Sequence, residues 1–230
     1  MALHLPSGRP SLRRDLPTGG HLDRRAFLGL GAAGLAAAGL AGCSLGKASA
    51  PDTSKEEPVE GDWGGELIEP GLERPDVTLT TMDGEPFPFR EATEGEFAIL
   101  FFGYTSCPDV CPTSLALLSR AIDELGDDRE DVVVYFVSVD PDRDTPELLA
   151  RYTSHFSDRI VGVTGSADAI ADAAARYGIF YELHEPDADG YYAVDHTASF
   201  TGIDGKGRLR VVWPSEVDVD DLASDLRHLR

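Results

Sequence analysis

Apolar residues are unevenly patterned along the chain, and the pattern predicts a series of short elements beginning near residue 74. Val77 to Thr81 runs through Met82-Asp83-Gly84 toward Phe87 and Phe89, which reads as a turn between short strands. Phe97-Ala98-Ile99-Leu100-Phe101-Phe102 is a continuous apolar run, as expected of a strand buried on both faces. Pro112 suits the first position of a helix, and Leu115, Leu118, Ile122 and Leu125 supply its apolar face. Val132 to Val139 is a second buried strand. Thr145-Pro146 is a cap followed by proline, opening a helix through Tyr152. Ile160 to Val163 is a short strand, and Ser166 to Tyr177 a helix stopped by Gly178. Ala198–Gly202 and Leu209–Trp213 flank the turn Asp204-Gly205-Lys206-Gly207 and predict a hairpin. Val219, Leu222, Leu226 and Leu229 mark one side of a last helix.

A strand, a helix and a strand in succession make a βαβ unit and hence a parallel pair. The whole order is hairpin, β, α, β, α, β, α, hairpin, α. It predicts an α/β domain over 74–230 with a central mixed sheet flanked by helices, and a thioredoxin-like fold accounts for it best. There is no internal repeat and no Gly-rich phosphate loop ahead of a helix.

The preceding residues follow other rules. Arg24-Arg25 leads through Ala26-Phe27-Leu28 into an uncharged Gly/Ala/Leu run, and this resembles a twin-arginine export signal. The run ends in Leu40-Ala41-Gly42-Cys43, which resembles a lipobox whose cysteine thiol takes the lipid. Residues 1–43 are therefore read as a targeting segment, with Cys43 as the lipidation site. An uncleaved transmembrane anchor is the alternative, although Ala26 to Gly42 is slightly short for the ~20 residues of a span. Both readings place the domain on the outer face of the cytoplasmic membrane. Residues 44–73, acidic and rich in Gly and Pro without an apolar period, read as a flexible tether.

Charge narrows the partners. Without the five arginines and two acids of the first 43 residues, the chain carries 39 acidic residues against 15 Lys and Arg, and its lysines are Lys47, Lys55 and Lys206 alone. Such a field repels phosphate, which argues against binding nucleic acid or anionic lipid headgroups directly. It suits a halophilic habitat, where salt screens self-repulsion; a docking surface for a basic partner is the other reading. A monomer is the default expectation.

With Cys43 lipidated, Cys107 and Cys111 remain, in a compartment that permits disulfides. They lie between the first buried strand and its helix, where the open end of an α/β sheet places binding sites. A helix N-terminus stabilises thiolate, so both thiol pKa values are expected to be lowered. Three intervening residues put the sulfurs one turn apart on one side, suited to a metal bite and within reach of a disulfide. Thiolates favour Cu(I) or zinc over magnesium or calcium, and a third ligand is then needed. His155 and His228 read as surface residues, and His184 sits in an acidic loop. His196, in Asp195-His196-Thr197 just before the strand Ala198–Phe200, would lie beside the cysteine loop. Position alone leaves it open between a structural histidine and a ligand.

Three stretches now act together: Phe102-Gly103-Tyr104-Thr105 through Cys107-Pro108-Asp109-Val110-Cys111-Pro112, then Val137-Ser138-Val139-Asp140-Pro141-Asp142-Arg143-Asp144-Thr145-Pro146, then Val194-Asp195-His196-Thr197. Over roughly Glu73 to Arg230 their order and spacing resemble the Sco/SenC family of copper proteins, which assist assembly of the CuA centre of cytochrome c oxidase. The resemblance implies copper, as Cu(I) or Cu(II), on Cys107, Cys111 and His196, with the oxidase subunit carrying the CuA site as partner. It leaves the Asp140–Pro146 segment between a capped turn and a direct role, and suggests that Asp195 orients the His196 ring. Redox thioredoxins usually place a cis-proline where this chain has His196-Thr197, which favours metal binding over general disulfide exchange. The alternative function is a thiol-disulfide oxidoreductase, with Cys107 and Cys111 cycling to keep a partner's cysteines reduced. A peroxidase reading is remote, because no arginine is identified beside a peroxidatic thiolate.

Overall fold

The computed structural model describes residues 63–229. The targeting segment, the lipidation of Cys43 and the tether up to residue 62 lie outside the described residues. An eight-stranded mixed sheet organises the domain. Its centre is β4 (Phe97–Gly103), β5 (Val132–Ser138) and β6 (Ile160–Thr164), mutually parallel and joined through α2 (Val110–Glu124) and α3 (Pro146–Thr153). Every residue of β4 after Phe97 is buried, as its unbroken apolar run requires. On the other side of β4 lies the antiparallel hairpin of β9 (Ser199–Ile203) and β10 (Arg208–Pro214), followed by α5 (Val219–His228). A βαβ unit with a hairpin added beside its first strand and a closing helix is the thioredoxin-like arrangement.

Local signals place most helix ends where the sequence predicts them. Thr145 accepts from the Leu148 amide at the start of α3, and Ser166 from the Ala169 amide at the start of α4 (Ala167–Arg176). Gly178 follows α4 with φ of +67°, the left-handed conformation in which a side chain would be strained. Phe87 falls in β3 (Pro86–Pro88), paired with β2 (Thr78–Thr81), whereas Phe89 opens the single turn α1 (Phe89–Ala92). Pro112 does not open α2. The helix begins two residues earlier, and proline occupies its third position, where the missing N–H has no intrahelical acceptor to lose.

The domain also starts earlier than residue 74. Glu66–Glu73 is not tether but an edge strand, β1, antiparallel to β10 with a bulge between Leu67 and Leu72. Its three glutamates hide it in the sequence, and on an edge they discourage pairing with other chains. The buried Asp225 carboxylate fixes the approach to this strand, accepting from the amides of Gly64 (3.0 Å) and Gly65 (3.1 Å) and from the Trp213 indole (2.6 Å). Asp225→Ala leaves a fully buried indole N–H without its acceptor. We expect it to lower stability by about 1–3 kcal/mol, read from the urea midpoint.

Candidate metal centre

Three chain segments meet at one end of the sheet: the turn after β4, the turn after β5, and the residues entering β9. The first carries both cysteines into α2. Cys107 lies just outside the helix, and its Sγ accepts the Cys111 amide at 3.4 Å, taking up one of the N–H groups of the first turn. Cys111 lies inside that turn and is fully buried. Its sulfur rests against Gly103 in β4: a Cβ at Gly103 would stand 2.7 Å from Cys111 Sγ and 2.8 Å from the Phe136 ring. Glycine is the residue here because the sulfur and the ring occupy the space of a side chain.

His196 comes from an element that periodicity did not reveal, the two-stranded ribbon of β7 (Tyr181–Leu183) and β8 (Val194–His196). Residue 196 is then held by its neighbour, because the Thr197 amide donates to Phe180 O (2.8 Å) and Thr197 Oγ1 accepts the Phe180 amide (3.0 Å). His196 Nδ1 lies 3.2 Å from Thr197 O, and Nε2 lies 3.5 Å from Cys111 Sγ. Since a carbonyl can only accept, we assign the proton to Nδ1, which leaves the Nε2 lone pair facing the sulfur. Tyr104 stands edge-on to the imidazole at 6.0 Å between ring centroids, with Phe101 at 6.2 Å.

The outcome is a compact donor set. The two sulfurs and a ring nitrogen of His196 lie within 4.8 Å of one another, the one such group of at least three His, Cys, Asp or Glu among the described residues. Bonds of about 2.0–2.3 Å to nitrogen and sulfur would set the ligands of a three-coordinate ion roughly 3.5–4 Å apart, so small adjustments suffice. Cys107 and His196 line a shallow cavity of about 400 Å³ with Tyr104, Pro108 and Asp109, while Cys111 lies beneath its floor. An ion held here would be open to an incoming ligand from one side only. Both cysteines are free thiols.

The electrostatics modify the expectation for the thiols. Burial pushes the Cys111 pKa well above its ordinary value, against the opposing hydrogen bond with the Tyr104 backbone, and the neighbouring Cys107 sulfur pushes it further. Burial also lowers the His196 pKa, against the opposing bond to Thr197 O, so the ring is neutral at pH 7. Between this lowered value and the ordinary 6.5, the unfolded chain binds more protons than the folded one. Stability supplied by the neutral ring is therefore present above about pH 6.5 and lost as the pH falls. Denaturation midpoints of the apoprotein between pH 7 and 5 should fall less steeply in His196→Ala than in the parent chain.

The other histidines and Asp195 are placed differently. His155 and His228 are exposed, and His228 packs against Trp63. Asp195 does not orient His196: its carboxylate meets His184 Nε2 at 2.9 Å on the exposed side of the ribbon. The carboxylate that supports the centre is Asp144. Fully buried, it accepts from the Thr105 amide (3.0 Å), Thr105 Oγ1 (2.5 Å) and Ser138 Oγ (2.6 Å), tying the cysteine loop to the end of β5. Burial outweighs these three donors and raises its pKa. The only hint of this in the sequence is the density of Asp and Pro directly after a buried strand.

The SCO1/SenC family model matches residues 68–230. An SCO2-like protein of Rickettsia conorii is 35% identical over 134 residues, covering 58% of this chain and 65% of its own length. The chain thus spans somewhat less than two thirds of that relative. Among solved structures, copper-bound ScoI of Bradyrhizobium japonicum is 34% identical with a TM-score of 0.63, covering 69% of this chain and 99% of its own. The apo Sco1 protein of Thermus thermophilus is 35% identical with a TM-score of 0.66, covering 74% of this chain and 98% of its own. With a family model matching residues 68–230 and the same thioredoxin-like fold in its relatives, the chain belongs to the SCO1/SenC family.

Proposed function

We propose that this protein binds one copper ion through Cys107, Cys111 and His196 and delivers it to the cytochrome c oxidase subunit that carries the CuA site. The observation that carries the reading is the meeting of two thiol sulfurs and a neutral imidazole nitrogen within 4.8 Å at the rim of a cavity. Family membership and the copper held by the Bradyrhizobium relative support the choice of metal. Copper supplies a soft, thiophilic centre that a three-donor site holds without a fixed fourth ligand. The protein's residues do the rest. Cys111 gives up the proton that burial makes it keep, so copper affinity rises with pH and binding releases acid. His196 presents Nε2 without deprotonation, and the open side at Cys107 admits a recipient's ligand.

Anaerobic titration of the reduced protein with Cu(I), against a competing chelator, tests this. Tight binding of one ion per chain, followed by transfer to a purified CuA-bearing subunit, is the expected result. Weak or non-stoichiometric uptake would end the reading.

A second activity, thiol-disulfide exchange, is favoured by one observation: the two cysteines meet at the start of α2, where the Cys111 amide donates to Cys107 Sγ. The reduction potential of the pair measures it. Export by the twin-arginine route and lipidation of Cys43 belong to the same proposal, and so does the high-salt habitat inferred from the acidic surface. A tethered domain outside the membrane could reach a membrane-held oxidase. Fractionation of the parent chain and of Cys43→Ala decides the anchor, since lipidated protein stays with membranes and the variant does not.

A further inference from the structure

Beside the donor set lies an arrangement that the copper reading does not use. After β5 the chain turns through Asp140 and Arg143, and the two side chains form a partly buried ion pair. The guanidinium does not point to solvent. Its carbon lies 3.6 Å from the centre of the Tyr192 ring and 5.5 Å from that of Tyr104, and its Nη1 donates to Tyr192 O at 2.9 Å. Tyr192 closes the circuit, its hydroxyl donating to Asp140 Oδ1 at 2.7 Å. Asp140 is itself fixed, since it is fully buried and its amide donates to Ser138 Oγ at the end of β5.

These contacts join three segments: the turn after β5, the loop before β8 and the turn after β4. Tyr192 stands four residues before His196, on the loop that feeds β8, and Tyr104 packs edge-on against the His196 ring. One cation therefore grips the chain leading to His196 and also the aromatic wall beside its imidazole. The ribbon of β7 and β8 is short, three residues in each strand, and holds little by itself. Arg143 Nη2 is buried without an acceptor, so the guanidinium is not placed there to satisfy its own hydrogen bonds. The aromatic faces and the Asp140 carboxylate offset that burial.

We propose that Arg143 is a positioning residue for His196: by clamping Tyr192 and Tyr104 to the turn after β5, it holds the imidazole at the distance from the cysteine sulfurs that a three-ligand site requires. The proposal rests on the copper reading for its purpose but not for its geometry. Lysine would keep the charge but lacks the planar fork that bonds Asp140 and Tyr192 O while lying on a ring.

The test uses the full chain, as parent, Arg143→Ala, Arg143→Lys, His196→Ala and the double variant Arg143→Ala/His196→Ala. In the apoprotein, amide hydrogen exchange over residues 190–197 should accelerate at least about tenfold in Arg143→Ala and Arg143→Lys, while β4 and β5 keep their protection. Cu(I) affinity should fall about 10–100-fold in each, the range usual for groups that support a metal ligand. In the His196→Ala background, Arg143→Ala should cause no further loss. Unchanged exchange over 190–197 overturns the clamp. So does a copper-affinity loss of equal size with and without His196, or a loss of protection spread over the whole sheet. If His196→Ala binds copper as the parent does, the copper reading fails, and the apoprotein exchange still decides the clamp.

Discussion

Replacing His196 with Ala should weaken Cu(I) binding by at least about a hundredfold, above the 10–100-fold typical of residues that only support a ligand. The reasoning runs from the backbone outward. Pairing of Tyr181 with His196 in the ribbon and the two bonds between Phe180 and Thr197 fix the Cα position. The bond from Nδ1 to Thr197 O fixes the ring and its tautomer, and Nε2 then faces Cys111 Sγ at 3.5 Å. Burial keeps the ring neutral, so no proton competes with copper at pH 7. Alanine removes the only nitrogen donor of the cluster and leaves two sulfurs, one of them sunk beneath the cavity floor. Chelator competition on the reduced proteins gives the ratio directly. A ratio near one would show that the imidazole is not a ligand.

Gly103→Ala should damage both the fold and the site. The added methyl would meet Cys111 Sγ at 2.7 Å and Phe136 at 2.8 Å, inside contact distance. Both neighbours are fully buried, and Phe136 is further held by packing on Phe101 and Tyr152. Overpacking of this kind costs about 1–3 kcal/mol. The sulfur is the group at the end of a short side chain in the first turn of α2, so it should yield first. We therefore expect a lower urea midpoint together with faster reaction of Cys111 with a thiol reagent, measured in the apoprotein. Stability and thiol reactivity equal to those of the parent would mean that Cys111 does not sit against β4.

The sequence made the sheet's centre legible because burial on both faces writes an unbroken apolar run, as in Phe97–Phe102 and Val132–Val139. Helix ends were legible where one residue type does the work, as at Thr145, Ser166 and Gly178. Cys107, Cys111 and His196 were named as a ligand set only through the family resemblance, and the fold brings residue 196 to residues 107 and 111. What escaped has a common physical origin. β1 is an edge strand rich in glutamate, and β7 and β8 are too short for alternation to register. Asp144, Asp225 and Arg143 each also act through a partner 12 to 161 residues distant, which no local pattern encodes. The expected lowering of the Cys111 pKa failed for a related reason: the helix N-terminus is visible in the sequence, whereas the burial that raises this pKa is a property of the assembled core.

The most direct test of the copper site is X-ray absorption at the copper edge on the reduced, Cu(I)-loaded protein. Two sulfur scatterers and one imidazole nitrogen in the first coordination sphere, with the nitrogen lost in His196→Ala, is the predicted result. A sphere of sulfur alone, or one unchanged by that substitution, would contradict it.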